Sequence, residues 1–213
     1  MRQRALRLPV LLGLIFGLAG ADCGTEMKVA GYEGDDRESW QQIDRVIETL
    51  GLSAGQQVAD IGSGSGYFTR HLAPAVAPGG RVFAVDVDPE MNAYLEARLA
   101  EEGIENVTVV LAEPGDPGLV EGSIDLVFTS NTYHHLPNQR AYFAGLRPYL
   151  APGARLAVVE YEPSKAGWFA RTFGHATPKA QIVAAIVAAG YRLEADHDFL
   201  ERQSFLIFEP STP

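Results

Sequence analysis

From residue 38 onward the chain alternates two hydrophobic patterns. Short apolar runs occur at 57–61 (QVADI), 81–87 (RVFAVDV), 106–113 (NVTVVLAE), 124–131 (IDLVFTSN) and 155–162 (RLAVVEYE). Between them lie segments whose apolar side chains recur every three or four positions. Trp40, Ile43, Val46, Ile47 and Leu50 share one face in this way. The first pattern predicts buried strands and the second amphipathic helices. Predicted helices cover 38–50, 66–77, 90–103, 138–150 and 177–190. Their punctuation agrees: Gly51, Gly103 and Gly190 close three of them, Pro89 opens one, and Thr177 with Pro178 supplies an N-cap and first turn for the last. Residues 152–154 (PGA) predict a turn before the fifth strand.

Strictly alternating strand and helix implies parallel strands joined by crossover helices. Runs without polar alternation imply a sheet covered on both faces. The end of the chain departs from this rule. RLEADHDFL (192–200) and QSFLIFE (203–209) are too closely spaced for a crossover and predict an antiparallel hairpin. The expected fold is α/β: a Rossmann-like seven-stranded sheet, mostly parallel, with an antiparallel last strand and helices on both faces. Residues 38–213 form one domain. Residues 22–37 are polar and predict an extended or flexible lead-in.

The first 21 residues stand apart. Arg2, Arg4 and Arg7 precede LPVLLGLIFGLAG, and Ala19-Gly20-Ala21 offers small residues for cleavage. That layout is a secretory signal peptide, and the run is shorter than a bilayer span requires. The expected location is therefore exported and periplasmic, without a stable membrane span after cleavage. Anchoring by an uncleaved N-terminus and cytoplasmic residence are the alternatives. Formal net charge is −10 over 213 residues and would become −13 without those three arginines. Such a surface, with its Lys and Arg scattered, argues against nucleic acid as a partner. Cys23 is the only cysteine, so no internal disulfide can form and no thiol set exists for arsenic chemistry.

Candidate chemistry gathers at the carboxyl ends of the predicted strands, where ligands bind open α/β sheets. Strand 57–61 runs into Gly62, Gly64 and Gly66, a turn that lets a ligand approach the backbone. A dinucleotide turn needs its third glycine at position 67, which is Tyr67. The pattern Asp60-x-Gly62-Ser63-Gly64-x-Gly66 after a strand, with Asp86 ending the second strand, resembles class I S-adenosylmethionine-dependent methyltransferases. The turn LAPGARLAVVE and the closing hairpin also resemble that family. RESWQQIDRVIETLGL, SNTYHHL and the stretches GHATPKAQIV, AAGY, HDFL and FLIFE within 174–209 further resemble a group of small bacterial methyltransferases, although Ile43 stands where that group carries proline.

The resemblance implies S-adenosylmethionine as cofactor, held by Asp60, Gly62, Ser63, Gly64, Gly66, Asp86, Val87, Glu113 and Asn131. Asp86 would take the ribose hydroxyls, Glu113 the adenine amino group and Asn131 the methionine end. Pro114 removes one backbone donor to the adenine. Tyr133 and His134 follow the fourth strand and are the candidate catalytic or acceptor-contacting residues. His135 is expected to be a packed structural residue and His175 a loop anchor. Glu160, Tyr161 and Glu162 leave the fifth strand; Tyr32 and Trp40 could close over a sulfonium. No metal is expected, there being no Asp-Asp-Asn triplet for magnesium. SNTYHHL is not a nucleobase-methylation motif, which leaves a small-molecule or lipid-like acceptor. Two alternatives remain: a non-catalytic exported domain that keeps the fold, and an NAD(P)-dependent oxidoreductase.

Overall fold

A computed structural model describes residues 19–34, 36–113, 115–165 and 175–211, with side chains from residue 24 on. The segment expected to be extended is instead helix α1, Ala19–Tyr32. It has no pronounced apolar stripe, so hydrophobic periodicity could not announce it. Contacts distant in sequence hold it: Lys28 Nζ lies 2.7 Å from Asp88, and Glu33, just beyond its end, lies 2.6 Å from Arg98.

The predicted helix 38–50 is broken. Helix α2, Arg37–Gln41, and helix α3, Ile43–Leu50, meet at Gln42, which has φ 47°. Gln42 Nε2 donates to the Phe199 carbonyl at 2.8 Å, tying the break to the far end of the chain. Ile43 is thus the first residue of a helix, the position where proline is favoured.

Strand β1, Gln57–Ile61, leads through the glycine loop into helix α4, Thr69–Ala75. Strand β2, Arg81–Asp86, is followed by helix α5, Pro89–Glu102, whose N-cap Asp88 accepts from the backbone of Glu90 and Met91. Strands β3, Val107–Leu111, and β4, Ile124–Ser130, come next. Helix α6 spans Gln139–Leu146. Strand β5, Leu150–Tyr161, starts earlier than expected, because the turn at 152–154 lies within a register shift opposite Ile124 and Leu126. Helix α7, Lys179–Ala188, begins after Pro178. Thr177 is not its cap; the carboxylate of Glu162 accepts from Lys179 N at 2.7 Å, as suits the positive end of a helix. Strands β6, Tyr191–His197, and β7, Gln203–Pro210, form the hairpin.

The sheet order is β3-β2-β1-β4-β5-β7-β6, and β7 runs antiparallel to both neighbours. The order reverses between β1 and β4, which places the ligand crevice beside the glycine loop. Both faces are covered. On one, Val46, Leu50, Leu72, Phe128 and Phe205 are buried together; on the other, Phe143, Leu146, Ile182, Ile186 and Phe208. Each such side chain contributes roughly 1.5–3 kcal/mol by leaving water.

Candidate functional site

A cavity of about 1140 Å³ opens at the carboxyl ends of β1, β2, β4 and β5. Its floor is the glycine loop, whose three glycines all have positive φ: Gly62 at 73°, Gly64 at 53° and Gly66 at 79°. Gly62 and Gly64 line the cavity, and Gly66 does not. A Cβ on Gly62 would collide with Thr132, and one on Gly66 with Leu95. Those two glycines let the protein pack against itself. At Gly64 the nearest group is the Tyr32 ring, 3.4 Å from the position of a Cβ, across the cavity.

Between the glycines, Ser63 and Ser65 line the cavity. Their hydroxyls are buried without a partner among the described residues. On the cavity wall these hydroxyls have hydrogen-bonding capacity open to a ligand or water. Asp60 lies beneath the loop, 3% exposed, accepting from Thr69 Oγ1 at 2.7 Å. Burial pushes its carboxyl up to about 7, against the opposing pull of the Thr69 hydrogen bond. Asp86 accepts from Gly64 N at 2.8 Å through one oxygen and from Asp88 N at 2.9 Å through the other. It therefore shapes the loop as well as facing the cavity. Val87 is exposed on the same wall. Glu113 is exposed beside it, held by a backbone bridge to Asp116. Pro114 lies outside the described residues.

The opposite wall comes from the ends of β4 and β5. Asn131 has φ 55°, and its Oδ1 accepts from Gln203 Nε2 at 2.7 Å. Gln203 continues to Gln41 at 3.1 Å, and Gln41 to Arg37 at 2.6 Å. Gln41 and Gln203 are fully buried, so this chain of side chains sets the position of Asn131 from α2 and β7. Sequence reasoning did not single out Arg37, Gln41 or Gln203. Isolated glutamines carry no local signal, and these meet across 162 residues. Trp40 stacks on Tyr161 with ring centroids 5.7 Å apart, and Arg202 lies over Trp40.

His134 faces the cavity. Its Nδ1 lies 3.1 Å from Glu160 Oε2, and its Nε2 lies 3.1 Å from His175 Nδ1. Glu160 is fully buried, and its other oxygen accepts from Tyr161 N at 2.8 Å. Two expectations are corrected here. His135 is an exposed residue of the cavity wall rather than packed interior, and His175 joins the cluster instead of only anchoring its loop. A third correction concerns Tyr133. It is 1% exposed, stacks on Phe143 and belongs to the core, so it does not line the cavity. The Tyr133 ring thus packs into the core while the ring of the next residue, His134, lines the cavity. Glu162 caps α7 and does not reach the cavity.

A protein family described as a methyltransferase domain matches residues 59–156, which span β1 to β5. Among curated proteins, the chain is 32% identical over 124 residues to protein-L-isoaspartate O-methyltransferase of Aeropyrum pernix, covering 54% of this chain and 43% of that one. It is 31% identical over 161 residues to arsenite methyltransferase of Halobacterium salinarum, covering 69% and 41%. The chain thus spans less than half the length of these relatives. Among solved structures, a SAM dependent methyltransferase from Aquifex aeolicus superposes with a TM-score of 0.78 at 22% identity, covering 85% of this chain and 96% of that one. The likeness in structure concerns the fold.

Proposed function

We propose that this chain, a class I S-adenosylmethionine-dependent methyltransferase, moves the methyl group of that cofactor onto a small-molecule or lipid-like acceptor. One observation carries the reading: a single cavity joins the glycine loop, Asp86, Val87 and Glu113 to His134, Trp40 and Tyr161. Pockets for one small ligand run to roughly 1,000 Å³, so this cavity has room for a cofactor with an acceptor beside it.

When bound, the cofactor supplies a sulfonium-activated methyl group for in-line displacement. The chain's work is to bind, orient and exclude water. Asp86 uses one lone pair of each oxygen on the backbone, and a carboxylate has about four such sites, which leaves capacity for two ribose hydroxyls. The partnerless hydroxyls of Ser63 and Ser65 suit the cofactor's polar edge. Asn131, with its carbonyl oxygen committed to Gln203, keeps its amide nitrogen for the methionine end. Tyr32 closes over Gly64, and Trp40 with Tyr161 forms an aromatic wall, which favours a positive sulfur. His134, backed by Glu160, is the group on the opposite wall that meets the acceptor.

The relatives act, by their names, on protein L-isoaspartate and on arsenite. Arsenic handling through thiols has no support here, because Cys23 stands alone. The oxidoreductase alternative is disfavoured by Tyr67, which is a buried ring where a dinucleotide turn needs glycine. To test the reading, purified protein is incubated with methyl-labelled cofactor and cell extract separated into small-molecule, lipid, protein and nucleic-acid fractions. Label is expected in a small-molecule or lipid product. Label in protein or nucleic acid alone would overturn the acceptor class, and no label in any fraction would favour a non-catalytic domain.

A further inference from the structure

We propose that His134, His135 and His175 form a three-histidine site for a divalent transition metal, with Zn²⁺ the best match, on the acceptor wall of the cavity. The three side chains each offer a ring nitrogen, and these nitrogens lie within 4.8 Å of one another. His134 and His135 are adjacent on a 3-10 turn, Tyr133–His135, with ring centroids 4.0 Å apart. His175 arrives from the segment before α7, 41 residues away.

The distances suit one shared ion. Two imidazole nitrogens bound to one tetrahedral zinc at about 2.0–2.1 Å stand roughly 3.3 Å apart. His134 Nε2 and His175 Nδ1 are 3.1 Å apart. His135 is exposed, so rotation of its ring to close the remaining gap meets little packing resistance. An all-imidazole donor set suits Zn²⁺, Cu²⁺, Fe²⁺ or Ni²⁺ and not magnesium or calcium.

Glu160 is the second, independent sign. Metal-bound histidines characteristically give their other ring N–H to a carboxylate. Glu160 is fully buried, and its Oε2 sits 3.1 Å from His134 Nδ1. Its Oε1 is fixed by Tyr161 N. This arrangement puts the proton on Nδ1 and turns the Nε2 lone pair toward His175. Metal binding would replace the hydrogen bond between those two rings, with His175 taking the tautomer that carries its proton on Nε2 and presents the Nδ1 lone pair to the ion.

Three protein ligands leave a fourth position, and it opens into the cavity. An acceptor carrying a hydroxyl or thiol fits there. Bound to the ion, its O–H or S–H loses the proton to water at neutral pH. The acceptor atom then forms its bond to the methyl carbon as the carbon–sulfonium bond breaks, and S-adenosylhomocysteine leaves. This last step rests on the methyl-transfer reading; the metal site does not.

The test is a competition titration of metal-free protein with Zn²⁺ and a chromophoric chelator, together with the visible spectrum of the Co²⁺-loaded protein. One ion per chain and a tetrahedral Co²⁺ spectrum are expected. His135→Ala and His175→Ala should each weaken Zn²⁺ at least tenfold, and Glu160→Gln by about 10–100-fold. Melting curves and an S-adenosylmethionine titration on each variant establish that it is folded. No stoichiometric ion in folded protein, or undiminished affinity in the His135→Ala/His175→Ala double variant, would overturn the site. Zinc binding without cofactor binding would sink the methyl-transfer reading and keep the site. If methyl transfer occurs, removing zinc should reduce it at least tenfold and adding zinc back should restore it; transfer indifferent to zinc would overturn the acceptor role.

Discussion

At the residue scale, the site rests on a few groups held in environments they would not choose alone. Asp60 is the clearest. Its carboxyl is buried and its pKa raised from 3.8 to about 7. Between those values the folded chain keeps a proton that the unfolded chain has lost, so stability falls as pH rises through the window. The slope from this one group reaches about 1.4 kcal/mol per pH unit. Asp60→Asn should remove that slope, and urea melts of both proteins at pH 5 and pH 7 measure it. A wild-type-minus-variant difference that does not change with pH would contradict the buried, protonated carboxyl. Asp60 and Gly64 were legible in the sequence because the loop motif is local, and Asp86 because it ends the second apolar run. Gly62 and Gly66 were legible as glycines but not for their reason, since Thr132 and Leu95 are the groups that crowd them. Tyr133 was misjudged because its ring packs against Phe143 in the core while both following histidines face the cavity, and the short YHH run carries no periodicity that tells these directions apart.

At the element scale, the strands and most helices followed from pattern, because each buries a continuous or periodic apolar face. Three departures share one cause: the deciding contact is remote in sequence. Gln42 breaks the first predicted helix while bonded to Phe199, Glu162 caps α7 from the end of β5, and α1 is fixed by Lys28 and Glu33 against α5 and its cap. Helix α1 carries Tyr32 over the loop, where the ring is 45% exposed. Tyr32→Ala should therefore leave the melting temperature within a few degrees, as exposed substitutions do. It should weaken S-adenosylmethionine by roughly 0.5–1.5 kcal/mol, the scale of one aromatic contact. Calorimetric titration beside a thermal melt separates the two effects. A large loss of stability with unchanged affinity would assign Tyr32 to packing instead.

At the scale of the whole molecule, alternation and the short final connection made the mostly parallel sheet and its closing hairpin legible in the sequence, whereas the strand order, and with it the reversal that locates the cavity, came from the structure. The location of the protein in the cell is a separate matter. We propose export with cleavage after Ala21, which leaves Lys28, Tyr32 and Glu33 in place on the folded domain. Among the described residues no helix is long and apolar enough to cross a membrane; residues 1–18, which hold most of the apolar run, lie outside them. Intact mass of protein from a bacterial host should correspond to a chain starting at Asp22; a chain starting at Met1 in the soluble cytoplasmic fraction would refute export. The central claim, that the crevice beside the glycine loop is a site for S-adenosylmethionine, is tested most directly by calorimetric titration with S-adenosylmethionine, S-adenosylhomocysteine and NADH in turn. The first two should bind at one site per chain and NADH should not. Asp86→Ala should weaken both by roughly 1.5–3 kcal/mol, the scale of hydrogen bonds to a charged group. Binding of NADH, or equal affinity for S-adenosylmethionine in the folded Asp86→Ala protein, would contradict it.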